Sequence, residues 1–185
     1  MRKRFDAQIG LGKAHWAAGR RGEAEAQFQK VIEIASDNAL AQLEMGHFVL
    51  AKAESASLDA EKTGAAPDTA KIATLARQAR KHYVRSWKLD ASVPETYAAY
   101  GSTYLLPGQD AKKGLKTLRH AHELLPSSQQ ARLLLAKIHV ETGNRELARK
   151  LALSLLATIH GDEVDEGIAQ ILEATGGVPG AEGGG

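Results

Sequence analysis

Seven histidines and 22 acidic residues in a chain of 185 are the raw material for metal binding or proton transfer. Their spacing does not assemble a site. His120 and His122 are two residues apart, which on a helix places them on opposite sides, unable to share one ion. His15 and His139 fall where an apolar helix face is expected and read as core. His47 is the one histidine expected on a surface that a partner reaches. The sequence holds no HExxH pattern, no Gly-rich phosphate loop and no defensible Ser-His-Asp spacing. Cysteine is absent, which removes thiolate ligands and disulfides. The sequence predicts no enzyme, no cofactor and no metal site.

A second kind of chemistry is carried by charge. From Lys71 to Lys88 the chain has Lys71, Arg77, Arg80, Lys81, Arg85 and Lys88 and not one acidic residue. The stretch just before it carries Glu54, Asp59 and Glu61 against Lys52 and Lys62. Two readings stay open. The cations form a solvated face with cross-pairs worth roughly 0–1 kcal/mol each, or Arg77, Arg80, Lys81, Arg85 and Lys88 dock an acidic protein surface. The formal net charge is only +2, and Trp87 is the one ring free for stacking if Tyr83 is core. A nucleic-acid partner is therefore not expected.

The elements that position these residues are helices. Alanine is abundant, aromatics make up 5% and β-branched runs are missing, which favours helix over strand. No apolar run approaches the roughly 20 residues of a membrane span. The basic start "MRKRFDAQIG" has no apolar core after it and does not read as a secretory signal. A cytoplasmic chain is expected, or a periplasmic one if a signal has been removed.

Four segments align on one pattern. Leu11-Gly12, His15, Gly19, Ala24, Phe28 and Val31 recur as Leu135-Ala136, His139, Gly143, Ala148, Ala152 and Leu155 at identical intervals. Tyr100-Gly101, Tyr104, Gly108, Gly114, Leu118, Ala121 and Pro126 follow with one extra residue at the turn. The remaining copy opens with Met45-Gly46 and Val49 and closes with Ala79, Tyr83, Ser86, Leu89 and Asp90. The pattern resembles the tetratricopeptide repeat, a helix–turn–helix unit of about 34 residues. His15, Val49 and His139 stand where the family usually has Tyr, and Ala152 where it has an aromatic.

The resemblance implies an all-α fold, a right-handed superhelical solenoid of about four hairpins with a C-terminal capping helix. The repeats are expected over residues 5–38, 39–93, 94–128 and 129–161, and the cap over 162–175. The cap rests on Val164, Ile168, Ile171 and Leu172 along one face, with Asp162, Glu163, Asp165 and Glu166 at its start. The Gly-rich tail, residues 176–185, is expected to be disordered. Gly12, Gly46, Gly101 and Ala136 let the two helices of each hairpin approach. Ala24, Ala79, Gly114 and Ala148 face them, and the large residues four positions on fill the gap to the next repeat.

One copy is expanded. Thirty-three residues separate Gly46 from Ala79, against twelve between Gly12 and Ala24. "AESASLDAEK" extends the first helix, "TGAAPD" breaks it and "TAKIATLARQARKHYVRSWKLD" resumes. The insertion therefore lengthens both helices by about three turns, a projection of some 15 Å. Leu58 zips against Ile72 and Leu75. Removing residues 53–73 is expected to restore a standard repeat with the array still folded.

The repeat resemblance implies a concave groove lined by the first helix of each hairpin. Helical spacing puts Ile9, Lys13 and Trp16; Leu43, His47 and Leu50; Ala98, Ser102 and Leu105; and Leu133, Lys137 and Val140 there. This apolar floor suits a peptide or helix of a protein partner, and two readings of Trp16 stay open: an anchor for that partner, or a ring packed against an N-terminal segment or neighbouring helix. Chaperone-tail binders of this family use cations where this chain has Ile9, Lys13, Glu44, Glu95 and Ala99, so that specificity is not expected. The leading expectation is a protein-binding scaffold within a larger assembly. The alternatives are a homo-oligomerisation module and a regulatory domain of a larger enzyme.

Overall fold

A computed structural model describes residues 2–158 and 166–177. Among these are nine helices and no strand: α1 (Arg2–Ala17), α2 (Arg21–Ile34), α3 (Ala39–Thr63), α4 (Thr69–Leu89), α5 (Glu95–Ser102), α6 (Ala111–Leu124), α7 (Gln129–Glu141), α8 (Arg145–Leu156) and α9 (Glu166–Ala174). Asp162, Glu163, Val164, Asp165 and most of the Gly-rich tail lie outside the described residues. Successive helices pair as hairpins, and each hairpin stacks on the next, an all-α solenoid.

Local signals place the helix starts. The side chains of Asn38, Asp68, Asp110, Ser128 and Asn144 each accept a backbone N–H in the first turn of the helix that follows. The long hairpin is capped at both sides of its tip. Gly64 ends α3 in the left-handed conformation at φ +66°, where a side chain would be strained. Asp68 then opens α4 by accepting from the Lys71 N–H at 2.9 Å. With 25 and 21 residues, α3 and α4 exceed the 8 to 16 of the other helices.

The crossing inside each hairpin has a sharper geometry than small against small. A methyl group on Gly12 would meet Phe28 at 2.8 Å, on Gly46 Tyr83 at 2.4 Å and on Gly101 Leu118 at 2.5 Å. Phe28, Tyr83 and Leu118 are 3%, 0% and 0% exposed. The large residue of the second helix thus seats on the glycine of its own first helix. This corrects the expectation that it fills the gap to the next repeat. Gly114 does face its own first helix, and a methyl there would also strike Ile138 of the next hairpin at 2.7 Å.

The long hairpin does not project freely. α5 stops after eight residues, and the connection to α6 runs back along α4. Leu106 from this connection is buried in one cluster with Ile72 and Ala76 of α4. Gly108 touches Thr69 in the first turn of α4. Ile72 is fully buried, while Leu58 is 51% exposed and does not take part in the expected zip.

Burial acts on two histidines, His139 in the core and the half-buried His82. His139 is fully enclosed with neither ring nitrogen bonded. Burial lowers its pKa from the ordinary 6.5, with Arg119 of α6 adding to the effect. His82, bonded to Gln42 at 2.9 Å, is lowered by burial as well. The folded chain therefore resists protons that the unfolded chain accepts, and stability falls as pH drops through 6.5. Urea melts between roughly pH 7 and pH 5 should show this loss. His139→Leu should gain about 1 kcal/mol near neutrality and flatten the profile. An unchanged slope would show that His139 is not the source.

Candidate functional site: the inner groove

The first helices of the hairpins line one side of the solenoid, and three adjoining hollows run along it. The first, of about 440 Å³, is bounded by Lys13, Trp16, Phe28, Glu44, His47 and Phe48. The second, of about 350 Å³, shares His47 and continues over Leu50, Ala98, Ala99, Ser102 and Leu134, with Glu54 and Glu95 at its walls. The third, of about 290 Å³, lies between Leu105, Lys137, Val140 and Ile171. The capping helix α9 thus closes the far end of the groove with Ile171 and Ala174.

Trp16 is half-buried. Its ring meets Phe48 edge-on at 5.3 Å and the Arg21 guanidinium lies 5.4 Å from its centroid. The neighbouring helix holds it, and its remaining surface faces the first hollow. Lys13 is not a free cation, because its ammonium sits 2.7 Å from Glu44 Oε1. Burial alone would raise the Glu44 carboxyl, but His47 and Lys13 outweigh it and hold the pKa below the ordinary range. Glu54, although exposed overall, is crowded by the groove walls. This desolvation raises its pKa against the opposing pull of His47 and Lys137.

Two of the expected groove residues belong to the core instead. Ile9 and Leu43 are 4% and 5% exposed and pack in the cluster of the first two hairpins. Leu133 packs against the α7–α8–α9 cluster, and its neighbour Leu134 lines the groove in its place. The reason is stacking: α1 touches α3 of the next hairpin as well as α2, and α3 touches α1 and α2 as well as α4, so the buried stripe is wider than two-helix packing implies. His47, Leu50, Ser102, Leu105 and Lys137 do line the hollows. Glu44, Glu54, Glu95 and Phe48 escaped the expected set. Glu44 and Glu95 carried a signal, since both stand at positions where chaperone-tail binders place polar or cationic groups.

His15 is not an apolar core residue. Its Nδ1 lies 2.7 Å from Glu23 Oε2 and 3.0 Å from Arg20 Nε, and Arg20 Nε is 2.8 Å from the same carboxylate oxygen, so the three side chains converge at the α1–α2 turn. Among the described residues no group of three His, Asp or Glu side chains has the geometry to hold a metal.

The expected cationic arm divides. Arg80 turns inward: it donates to Thr103 Oγ1 at 3.0 Å and to Gln109 Oε1 at 3.1 Å, and lies over the Tyr104 ring at 4.4 Å. It is a strut between α4 and the α5–α6 connection, which corrects its assignment as a docking residue. Arg85 donates to the Ser36 carbonyl at 3.1 Å. Arg77, Lys81 and Lys88 stay on the outer surface.

No described helix is long and apolar enough to cross a membrane. No protein-family model matches the chain, and no curated protein matches it. Solved structures do. A mutant O-GlcNAc transferase of Thermobaculum terrenum is similar with a TM-score of 0.65 and 19% identity, over 83% of this chain and 26% of that one. The chain thus spans about a quarter of the transferase chain. The MamA protein is similar at 0.62 and 16% identity, over 95% of this chain and 85% of its own. A tetratricopeptide-repeat protein of Thermus thermophilus is similar at 0.51 and 15%, over 92% and 98%. Likeness at these identities speaks for architecture, and with the glycine crossings and stacked hairpins it gives the chain a tetratricopeptide-repeat-like fold.

Proposed function

We propose that the chain is a protein-interaction scaffold whose inner groove holds a peptide or helix of a partner. The observation that carries this reading is the run of three hollows with an apolar floor. Their walls carry carboxylates, Glu54 and Glu95, that close no salt bridge within 4 Å among the described residues. Apolar anchors with a few polar contacts are what a peptide groove requires. The structural neighbours include a tetratricopeptide-repeat protein, which supports a scaffold role in general.

The test is selection of peptides on the intact chain from a displayed random library. The selected peptides are then titrated against Trp16→Ala and Glu95→Lys variants. Each variant should weaken binding about tenfold, the loss of one anchor or one charged contact. A change on the outer face, Lys116→Glu, should leave the affinity unaltered. Circular dichroism verifies that the variants stay helical. Peptides that bind both groove variants as tightly as the parent chain would overturn the reading.

A second reading is a regulatory module of a larger enzyme. The likeness to one part of a transferase chain favours it. A parent reading frame that encodes a catalytic domain beside this array would support it, and a reading frame that ends with the array would sink it.

A further inference from the structure

The outer face carries a second surface that the groove reading does not use. On α4 the buried line is Ile72, Ala76, Ala79, Tyr83 and Ser86. At 100° per residue the opposite side holds Lys81, Arg85 and Lys88. On α6 the buried line is Gly114, Leu118 and Ala121, and its opposite side holds Lys112, Lys116 and Arg119. All six are exposed. The two helices are tied at matching heights. Arg80 bonds Gln109, just before α6 begins. Further along, Trp87 of α4 stacks on Tyr97 of α5 at 5.2 Å, and Tyr97 meets His120 of α6 edge-on at 5.0 Å. These ties set the row of cations on α4 roughly level with the row on α6 on the outer side, where Lys81 and Arg85 also border a hollow between α2 and α4.

The rows lack compensating charge. Lys81, Lys88, Lys112, Lys116 and Arg119 make no ion pair among the described residues. Arg85 directs its bond to a carbonyl. Glu25, across the gap from α4, is held by Lys52 at 3.3 Å. Glu123, the one carboxylate on this side of α6, lies 3.5 Å from His120. Like charges four apart, Lys81 with Arg85 and Lys112 with Lys116, disfavour the bare helices. A hollow of about 390 Å³ runs along α6 from Lys112 to Glu123.

We infer that this outer face of α4 and α6 is a docking surface for an acidic protein segment. Carboxylates four residues apart on an acidic helix repeat every 6 Å or so, the same rise that separates Lys81 from Arg85 and Lys112 from Lys116. The partner anions remove the like-charge repulsion that the free face carries. Nucleic acid fits less well. The rings nearest the rows, Trp87 and Tyr97, already stack on each other, so their facing surfaces are closed to bases. The net charge of +2 supplies little long-range attraction for a polyphosphate.

The test uses the whole chain and two dye-labelled probes, a short polyglutamate peptide and a thymidine oligonucleotide of equal charge, read by fluorescence anisotropy at low ionic strength. The parent chain should bind polyglutamate more tightly than the oligonucleotide. A Lys81→Glu, Lys116→Glu double variant should weaken polyglutamate binding about tenfold or more. Lys30→Glu, a single charge reversal on α2, should shift it by about twofold or less. Lys81, Lys116 and Lys30 make no side-chain hydrogen bond or ion pair among the described residues, so the helical content should not change. Three results overturn the inference: no polyglutamate binding, equal losses per charge for Lys30→Glu and the double variant, or tighter binding of the oligonucleotide. The third would assign the face to nucleic acid. The groove is untouched by these changes, so failure here leaves the peptide-selection result to stand or fall by itself.

Discussion

Deletion of residues 53–73 should abolish cooperative folding of the first three hairpins. The sequence suggests the opposite, because the shortened copy would match its neighbours in length. The structure gives two reasons for collapse. The deletion removes Gly64 and Asp68, which end α3 and start α4, and joins Lys52 to Thr74 with no residue that favours a turn. It also removes Ala53 and Ile72, both fully buried, and with them the seat of Leu106. Loss of one buried isoleucine side chain alone costs roughly 2–5 kcal/mol, a large share of the stability of a typical domain. Thermal unfolding followed by circular dichroism should show a broad, early transition or none. A cooperative transition within a few degrees of the parent chain would show that the third hairpin does not lean on the insertion.

Gly46→Ala should cost about 1–3 kcal/mol, the strain of one methyl forced into a filled core. The new Cβ would lie 2.4 Å from Tyr83 Cε1 and 2.7 Å from Cδ1. Tyr83 has no exposed surface, and its ring meets His47 edge-on at 5.7 Å. The flexible end of a long side chain could yield, but an enclosed ring cannot. Gly10 supplies the contrast. It lies within α1 with nothing within 4 Å of its absent Cβ. Gly10→Ala should therefore stabilise by up to about 1 kcal/mol, through helix propensity alone. Urea denaturation of both variants checks the pair. The crossing account fails if Gly46→Ala is neutral. If Gly46→Ala is destabilising, adding Tyr83→Leu should recover part of the loss, since a smaller side chain leaves room for the methyl.

Glycines and turn residues were the most legible part of the sequence, because each acts within its own few residues. The repeat interval from Gly12 to Phe28 and its later copies announced stacked helical hairpins. "TGAAPD" announced the tip of the long one, since a left-handed glycine and an Asp cap work without help from distant residues. Which copy of the pattern is expanded, and that its extra residues are helical, could be read from spacing and composition alone. The groove was legible as a side of the solenoid and less so as a set of residues. His47, Ser102, Leu105 and Lys137 were found because helical periodicity fixes the side they share. Ile9 and Leu43 turned out buried because a helix in a stack is covered by two neighbours, and periodicity within one segment sees only one.

The tertiary structure decided what long-range contacts decide. That α5 ends at Ser102 and its connection lies along α4 depends on Leu106 joining the buried cluster that holds Ile72 and Ala76, thirty or more residues away in the chain. That Arg80 turns inward while Lys81 beside it stays on the surface depends on where Thr103 and Gln109 arrive. That α4, α5 and α6 are joined by the ring bridge Trp87–Tyr97–His120 depends on where three separate helices bring those side chains. The sequence determined the local repeat, its turns and the charge that each helix bears. Only packing between hairpins decided which of those charges are used within the fold and which remain for a partner, because that choice is made by neighbours that no local pattern can name.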